Sequence, residues 1–335
     1  MSTIEQGRVL DSEGQSAPAV GASEVEGMVS VIVPCYKQAH YLVDCIGSLQ
    51  SQGYSNWEAI IVNDGSPDNT REVAQSLQAS DLRIRYFETE NLGVSSARNI
   101  ALKQAIGEFI HFLDADDLIP PSKLETAVQA LNNNENISVV FGDYLFLDPS
   151  GNLYSNCFTS PTFKSRDPLL EIIICWEVEL SIPMNSFLFR TSLWRKPGMI
   201  FDEKLKNHVD WDLWVRIFRE RPGISRIPGI TAVYRVNPTS MTKHTTAMQL
   251  GFLAAIDKHL ADPELSDELR HAFFIKRTIT LHAFGMGWRG EFERMLNRNW
   301  LAKRLHWRIL DLLRRGLALD FQPRYEAIKR KHIGG

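Results

Sequence analysis

Phe109-Ile110-His111-Phe112-Leu113-Asp114-Ala115-Asp116-Asp117 passes from an apolar run directly into three carboxylates. Such a run, closed by a polar turn, reads as a buried strand that opens into a loop. The same unit recurs upstream. Val29-Ser30-Val31-Ile32-Val33-Pro34 is a strand, and Leu42, Cys45, Ile46 and Leu49 mark one helix face at steps of three and four. Residues 57–62 form a second strand, ended by the turn formers Asn63-Asp64-Gly65-Ser66-Pro67-Asp68. A helix carrying Val73 and Leu77, a strand at 83–87 and a helix over 94–105 lead back to the opening segment. This order predicts an α/β fold, a Rossmann-like, mainly parallel sheet flanked by helices. Ligands of such sheets bind beyond the carboxyl ends of the strands. Those ends read Pro34-Cys35-Tyr36, Asn63-Asp64-Gly65-Ser66, Glu88 to Asn91 and Asp114-Ala115-Asp116-Asp117. The functional site is expected there.

Downstream, a helix is expected at 121–131, strands at 137–141 and 144–147, and a turn at 148–151. A strand at 184–189, a helix at 209–219 bearing Trp211, Leu213, Trp214 and Ile217, and a strand at 230–234 follow. From 245 onward the pattern turns helical. Residues 1–27, rich in Ser, Glu, Gly and Ala, read as a disordered tail. Residues 28–240 then form the catalytic domain and 241–335 a C-terminal helical extension.

Composition narrows the class. The 335 residues are 44% hydrophobic and 23% charged with a formal net charge of -3. That supports a sizeable core and gives no nucleic-acid signature. No apolar run reaches the roughly 18 residues needed to span a bilayer, and the N-terminus lacks the basic start of a signal peptide. The four cysteines form no CxxC pair, which favours a reduced, cytoplasmic setting. Beyond residue 290, Trp300, Leu301, Leu305, Trp307, Ile309, Leu312 and Leu313 alternate with Lys and Arg. An amphipathic stretch of this kind either rests peripherally on the inner face of the plasma membrane, packs on the catalytic domain, or pairs two subunits.

Four groups of residues carry chemistry. Asp114 and Asp116 stand two apart, so in extended chain they point the same way and can converge on one hard cation, Mn2+ or Mg2+. Read as local structure, they are a solvated turn, with Asp117 or Ser122 capping the next helix. Asp64 either closes an Asx turn, with Gly65 at positive φ, or accepts the ring N–H of a pyrimidine base. Arg98 and Asn99 open a helix, where Arg98 is solvated or pairs with an acidic loop residue or a donor. Asp210 and Asp212 lie about 200° apart on one helix, so only one faces a pocket. Asp210 suits general-base work on a hydroxyl, or simply complements the helix dipole.

Taken together, Val31-Ile32-Val33-Pro34-Cys35-Tyr36, Val62-Asn63-Asp64-Gly65-Ser66-Pro67-Asp68-Asn69-Thr70, Asn91-Leu92-Gly93-Val94-Ser95-Ser96-Ala97-Arg98-Asn99, Phe112-Leu113-Asp114-Ala115-Asp116-Asp117, Asp210-Trp211-Asp212-Leu213-Trp214 and Tyr234-Arg235 resemble family 2 glycosyltransferases of the GT-A fold, the type that builds bacterial surface polysaccharides. The resemblance implies an inverting, metal-assisted transfer of a sugar from a nucleotide diphosphate, UDP foremost, to a glycan or lipid-linked acceptor. It places Pro34, Tyr36, Asp64, Arg98, Asp114, Ala115 and Asp116 at the nucleotide-sugar, Asp116 on the metal, and Asp210 as base. Two positions depart from the pattern: Asn63 stands where Asp is common, and Val209 where Glu often precedes the base. Neither the Gln-x-x-Arg-Trp signature of processive members nor their membrane helices are present. A metal-dependent nucleotidyltransferase would need a glycine- and lysine-rich loop where Cys35-Tyr36-Lys37-Gln38 stands. A Rossmann dehydrogenase would need GxGxxG there. A catalytically degenerate sugar-nucleotide binder would lack Asp116 or Asp210.

Overall fold

In a computed structural model of the chain, the described residues are 24–237 and 245–283, with the backbone of 4–5 and 8–9. The chain divides into two compact units, Met1–Ile172 with Trp176–Lys243, and Ile173–Cys175 with His244–Gly335. A short antiparallel pair, β1 (Ile4–Glu5) and β2 (Arg8–Val9), comes first. Then follow β3 (Val25–Cys35), α1 (Ala39–Gln50), β4 (Trp57–Asp64), α2 (Thr70–Ser80), β5 (Ile84–Thr89), α3 (Val94–Gln104), β6 (Gly107–Phe112) and α4 (Lys123–Asn132). The chain continues through β7 (Ile137–Leu147), β8 (Leu153–Tyr154), α5 (Pro168–Cys175), β9 (Leu188–Arg190), α6 (Val209–Arg219) and β10 (Gly223–Arg235). Two helices, α7 (Thr245–Leu260) and α8 (Asp267–Ala283), belong to the second unit.

The eight-stranded sheet has the order β10-β7-β9-β6-β3-β4-β5, with β8 paired to β7. Strands β6, β3, β4 and β5 are parallel, as are β7 and β10. Because β9 is antiparallel to both β6 and β7, those two point the same way. Six carboxyl ends therefore meet on one edge, and the expected mainly parallel α/β sheet is present. Every residue of β4 is buried, as befits a strand covered on both faces. The expected face of α1, Leu42, Cys45, Ile46 and Leu49, is buried in the core, and α4 buries Leu124, Ala127, Val128 and Leu131 at helical spacing.

Several elements differ from the pattern-based expectation for identifiable reasons. Strand β3 starts at Val25 rather than Met28, because Val25 N–H donates to the Ile106 carbonyl (2.8 Å) and Gly27 N–H to Glu108 Oε2 (2.8 Å). Residues 137–147 are one strand, not two. Met184–Ser186 is a 3-10 turn, and only Leu188–Arg190 pairs, wedged antiparallel between two parallel strands. Strand β10 begins at Gly223, well before the expected 230. Pro228 and Gly229 hide this extension by breaking its register between Arg226 and Ile230. Proline is tolerated there because β10 is an edge strand.

In the second unit, His259 on α7 stacks on Phe273 of α8 at 4.9 Å, and Arg277 pairs with Asp257 at 2.6 Å. The basic, tryptophan-bearing stretch beyond 290 lies outside the described residues, as do most of residues 1–23. Among the described residues, no helix is long and apolar enough to cross a membrane.

At the start of β6, a Cβ on Gly107 would lie 2.6 Å from the Met28 carbonyl oxygen and 2.7 Å from Ser30 N, both backbone atoms of β3. Neither can swing aside. Gly107→Ala should therefore lower unfolding stability by about 1–3 kcal/mol in urea titrations. An unchanged midpoint would contradict this close approach of β3 and β6.

Candidate active site

The end of β4 builds the first part of the site. Asn63 Oδ1 accepts Ser66 N–H at 2.9 Å, so Asn63 and not Asp64 is the residue whose side chain closes this turn. Gly65 has φ +64°, and a Cβ there would sit 2.7 Å from Asn91 N. Asp64 itself is buried and reaches across to the loop before α3. Its two carboxylate oxygens accept Leu92 N–H and Gly93 N–H, each at 2.8 Å. Burial raises the Asp64 pKa above the ordinary carboxylate value, and these two amides only partly oppose it. Each oxygen keeps a second lone pair, so a further donor can still be bound.

Pro34 is buried in β3, while Tyr36 is exposed just beyond it, with Lys37 Nζ 5.0 Å from its ring centre. Asp68 ties this loop to its neighbours. It accepts Ala39 N–H of α1 (3.2 Å) and both Thr70 N–H (3.2 Å) and Thr70 Oγ1–H (2.6 Å) of α2. Burial pushes the Asp68 carboxyl up, but these bonds outweigh it and hold its pKa below the usual value.

The acidic loop after β6 forms the centre. Arg98 from α3 is buried and donates to Asp114 Oδ1 at 2.6 Å, with its guanidinium 5.2 Å from the Phe201 ring centre. Asn99 pairs both ways with the Phe201 backbone at 2.8 and 2.9 Å, which fixes the same helix end. Ala115 is buried. Asp117 does not cap α4, and neither does the Ser122 side chain. Instead Asp117 is buried, accepting Asn185 Nδ2–H and Arg235 N–H at 2.9 Å each. Asp116 is half-buried between these two carboxylates. Burial, and then the charge of Asp114, push its pKa up to about 6, against a hydrogen bond from Asn237 and the charge of Arg235. Burial and the charges of Asp116 and Asp114 likewise raise Asp117 well above the ordinary value.

Helix α6 separates its two aspartates as the 200° argument requires. Asp212 is fully buried and bound by Arg216 through Nε (3.0 Å) and a terminal nitrogen (2.7 Å). Its neighbours Trp211 and Trp214 anchor the helix, Trp211 by donating to the Ile172 carbonyl (2.9 Å) and Trp214 by stacking on Phe189 (5.1 Å). Asp210 stays half-buried on the first turn. His208, just before it, has φ +53°, a strained value for a residue with a Cβ. Tyr234, near the end of β10, connects the two carboxylate groups. Burial raises its phenol pKa, and so do the charges of Asp117, Asp116, Asp114 and Asp210 together. The charges of Asp210 and of the acidic loop are thus both felt at Tyr234. The sequence reading missed the Asp68 and Asn185 contacts and the bonds made by Arg235. The pair Tyr234-Arg235 was the only pointer to the last of these.

Residues 30–195 match the family described as Glycosyl transferase family 2. The chain belongs to that family. An uncharacterized glycosyltransferase, EpsJ of Bacillus subtilis, is 30% identical over 242 residues, covering 70% of this chain and 66% of EpsJ. An uncharacterized glycosyltransferase of Rickettsia conorii is 36% identical over 196 residues, 58% of this chain but 32% of that protein. The chain therefore spans only about a third of some relatives. Two solved structures share its architecture with a TM-score of 0.59 each. One is S. aureus TarS 1-349 in complex with UDP-GlcNAc, at 21% identity, covering 77% of this chain and 73% of that one. The other is the mannosyltransferase PcManGT from Pyrobaculum calidifontis in complex with GDP-Man and Mn2+, at 17% identity, covering 92% and 88%. These likenesses establish the GT-A fold of this family 2 chain.

The raised pKa of Asp116 has a consequence for stability. A carboxyl that binds its proton more tightly when folded stabilises the fold below its unfolded pKa. That contribution is lost as pH rises through about 6. In metal-free protein, Asp116→Asn should melt like wild type near pH 4 and be more stable by about 1–3 kcal/mol near pH 8. Equal melting temperatures at pH 8 would show that Asp116 carries no such charge strain.

Proposed function

We propose that this family 2 chain transfers a sugar from a nucleoside diphosphate donor, UDP foremost, to a hydroxyl of a glycan or lipid-linked acceptor, with inversion at the anomeric carbon. The observation that carries the reading is the acidic turn at the carboxyl end of β6, where Arg98 holds Asp114 at 2.6 Å and Asn185 and the Arg235 amide hold Asp117 at 2.9 Å each, with Asp116 half-buried beside them. In this reading Asp116 is the carboxylate that takes the cation, and Asp210, whose Oδ1 accepts Trp211 N–H at 2.8 Å, is the base.

The donor set fits a divalent cation. Its oxygens are hard ligands, Asp114 repels the charge of Asp116, and Arg235 binds the Asp116 backbone carbonyl rather than its carboxylate. Asp116 is the ligand for Mn2+ or Mg2+, while Arg98 occupies one oxygen of Asp114 and leaves the other toward the nucleotide. When bound, such an ion neutralises negative charge on the departing diphosphate. Asp64 holds the 92–93 loop and offers its remaining lone pairs to the base, beside Pro34 and Tyr36. Asp210 accepts the proton of the acceptor hydroxyl as that oxygen bonds to the anomeric carbon and the bond to the diphosphate oxygen breaks. The basic stretch beyond residue 290 is an expected peripheral contact with an anionic membrane, or a dimer surface. Co-sedimentation with anionic vesicles at low and high salt separates these.

A panel of nucleotide-sugars assayed for nucleoside diphosphate release with and without Mn2+ tests the reaction. Asp116→Ala should lower turnover by about 10²–10³-fold, the usual loss for one charge-stabilising element. Full turnover in excess chelator would remove the metal from the mechanism. Asp210→Asn should bind donor normally yet fail to transfer. Asp212→Ala should instead lower stability by about 1–3 kcal/mol, by removing the buried carboxylate that two Arg216 nitrogens bind. An active Asp210→Asn enzyme would show that the base lies elsewhere.

A further inference from the structure

Arg235, the last residue of β10, touches three separate parts of the catalytic unit. Its Nε–H donates to the Asp116 carbonyl at 2.8 Å, and its backbone N–H donates to Asp117 Oδ1 at 2.9 Å. On the α1 side, its guanidinium lies 4.6 Å from the Tyr41 ring centre and 3.4 Å from Asp44 Oδ2. The side chain is only 16% exposed. Two residues earlier, Val233 and Leu118 exchange backbone hydrogen bonds at 3.1 and 2.9 Å. Two residues later, Asn237 bonds to the Asp116 side chain. The acidic turn is thus held at its carbonyl, at its neighbouring carboxylate and at its exit, all from one strand.

We propose that Arg235 is a positioning residue for Asp116. By clasping the turn against α1, it aims the Asp116 carboxylate at the donor diphosphate and its cation, and it does not itself contact the reacting atoms. This rests on the reading of Asp116 as the metal ligand. The role calls for arginine specifically. The planar guanidinium bonds to a carbonyl along one edge while its face lies on Tyr41, whereas a lysine ammonium satisfies one partner at a time. Groups that orient a metal ligand without touching the metal typically change metal affinity by about 10–100-fold when removed.

The test uses the full chain and Mn2+ titrations followed by electron paramagnetic resonance with UDP present. Metal-free UDP binding and thermal melting serve as controls for the nucleotide pocket and the fold. Arg235→Met should weaken Mn2+ binding by about 10–100-fold and raise donor KM at low Mn2+, while kcat at saturating Mn2+ is retained. Arg235→Lys should fall between the two. Wild-type Mn2+ affinity in Arg235→Met overturns the proposal, as does loss of kcat at saturating Mn2+ with affinity unchanged, which would put Arg235 on the substrate. If Arg235→Met fails to melt cooperatively, Arg235→Lys decides, and wild-type affinity in that variant overturns the clasp. Wild-type protein that binds no Mn2+ in the presence of UDP overturns the reading of Asp116 itself. Binding by wild type and Arg235→Met alike overturns only the role of Arg235.

Discussion

Three carboxylates in four residues cannot share the edge of a buried sheet unless something else holds each of them. That constraint organises the first unit of this protein. Asp114 is held by Arg98 and Asp117 by Asn185 and the Arg235 amide, while Asp116 has a hydrogen bond from Asn237 and the charge of Arg235, which burial and Asp114 outweigh. The partners come from α3, from the segment before β9 and from the end of β10. The acidic turn therefore depends on strands and helices far apart in sequence. Removing a charge-compensating neighbour would leave buried like charges facing one another at low local dielectric.

The opposite edge of the sheet shows what an acid with a purely structural role looks like. Glu58, at the start of β4, is buried and accepts from Ser30 Oγ (2.6 Å), Ile106 N–H (2.9 Å) and Arg85 (2.8 Å). Its acceptor sites are taken up by the protein, and it joins the amino-terminal ends of β3, β4, β5 and β6. Asp116 sits in the same layer at the other end with one side-chain amide on its carboxylate. Glu58 is the more deeply buried of the two and has the more hydrogen bonds from the protein. A carboxylate that the fold desolvates but leaves short of partners is poised for a ligand.

The parallel core was legible in the sequence because its signals are local. Apolar runs, helix faces at steps of three and four, and Gly65 at a forced positive φ each report on a few neighbouring residues. The wedge β9 was legible only in part: a strand was expected at 184–189, but its first half is a 3-10 turn, and the antiparallel direction rests on only two register pairs with each neighbour. The first half of β10 was masked by Pro228 and Gly229. The same division holds in the site. Asp64, Asp114, Asp116 and Asp210 could be named from motif order, but their partners could not. Arg235 bonds to a carbonyl 119 positions away, and Asn185 to a carboxylate 68 away. No periodicity encodes such pairs.

Asp210 and Asp212 show how one short helix assigns opposite roles to the same residue type. Rotation by about 200° sends Asp212 to the side of α6 away from Asp210, where it is fully buried and its Oδ2 accepts two Arg216 nitrogens at 3.0 and 2.7 Å. Arg216, one turn later on the same helix, also donates to the Gly198 carbonyl and so links the buried pair to the segment before α6. Asp210 is then displayed from a rigid first turn, close enough to Tyr234 for its charge to be felt there. The strained His208 immediately before it lets the chain enter the helix at this angle. The direction of this first turn is fixed by the two tryptophans, Trp211 through the Ile172 carbonyl and Trp214 through its stack on Phe189.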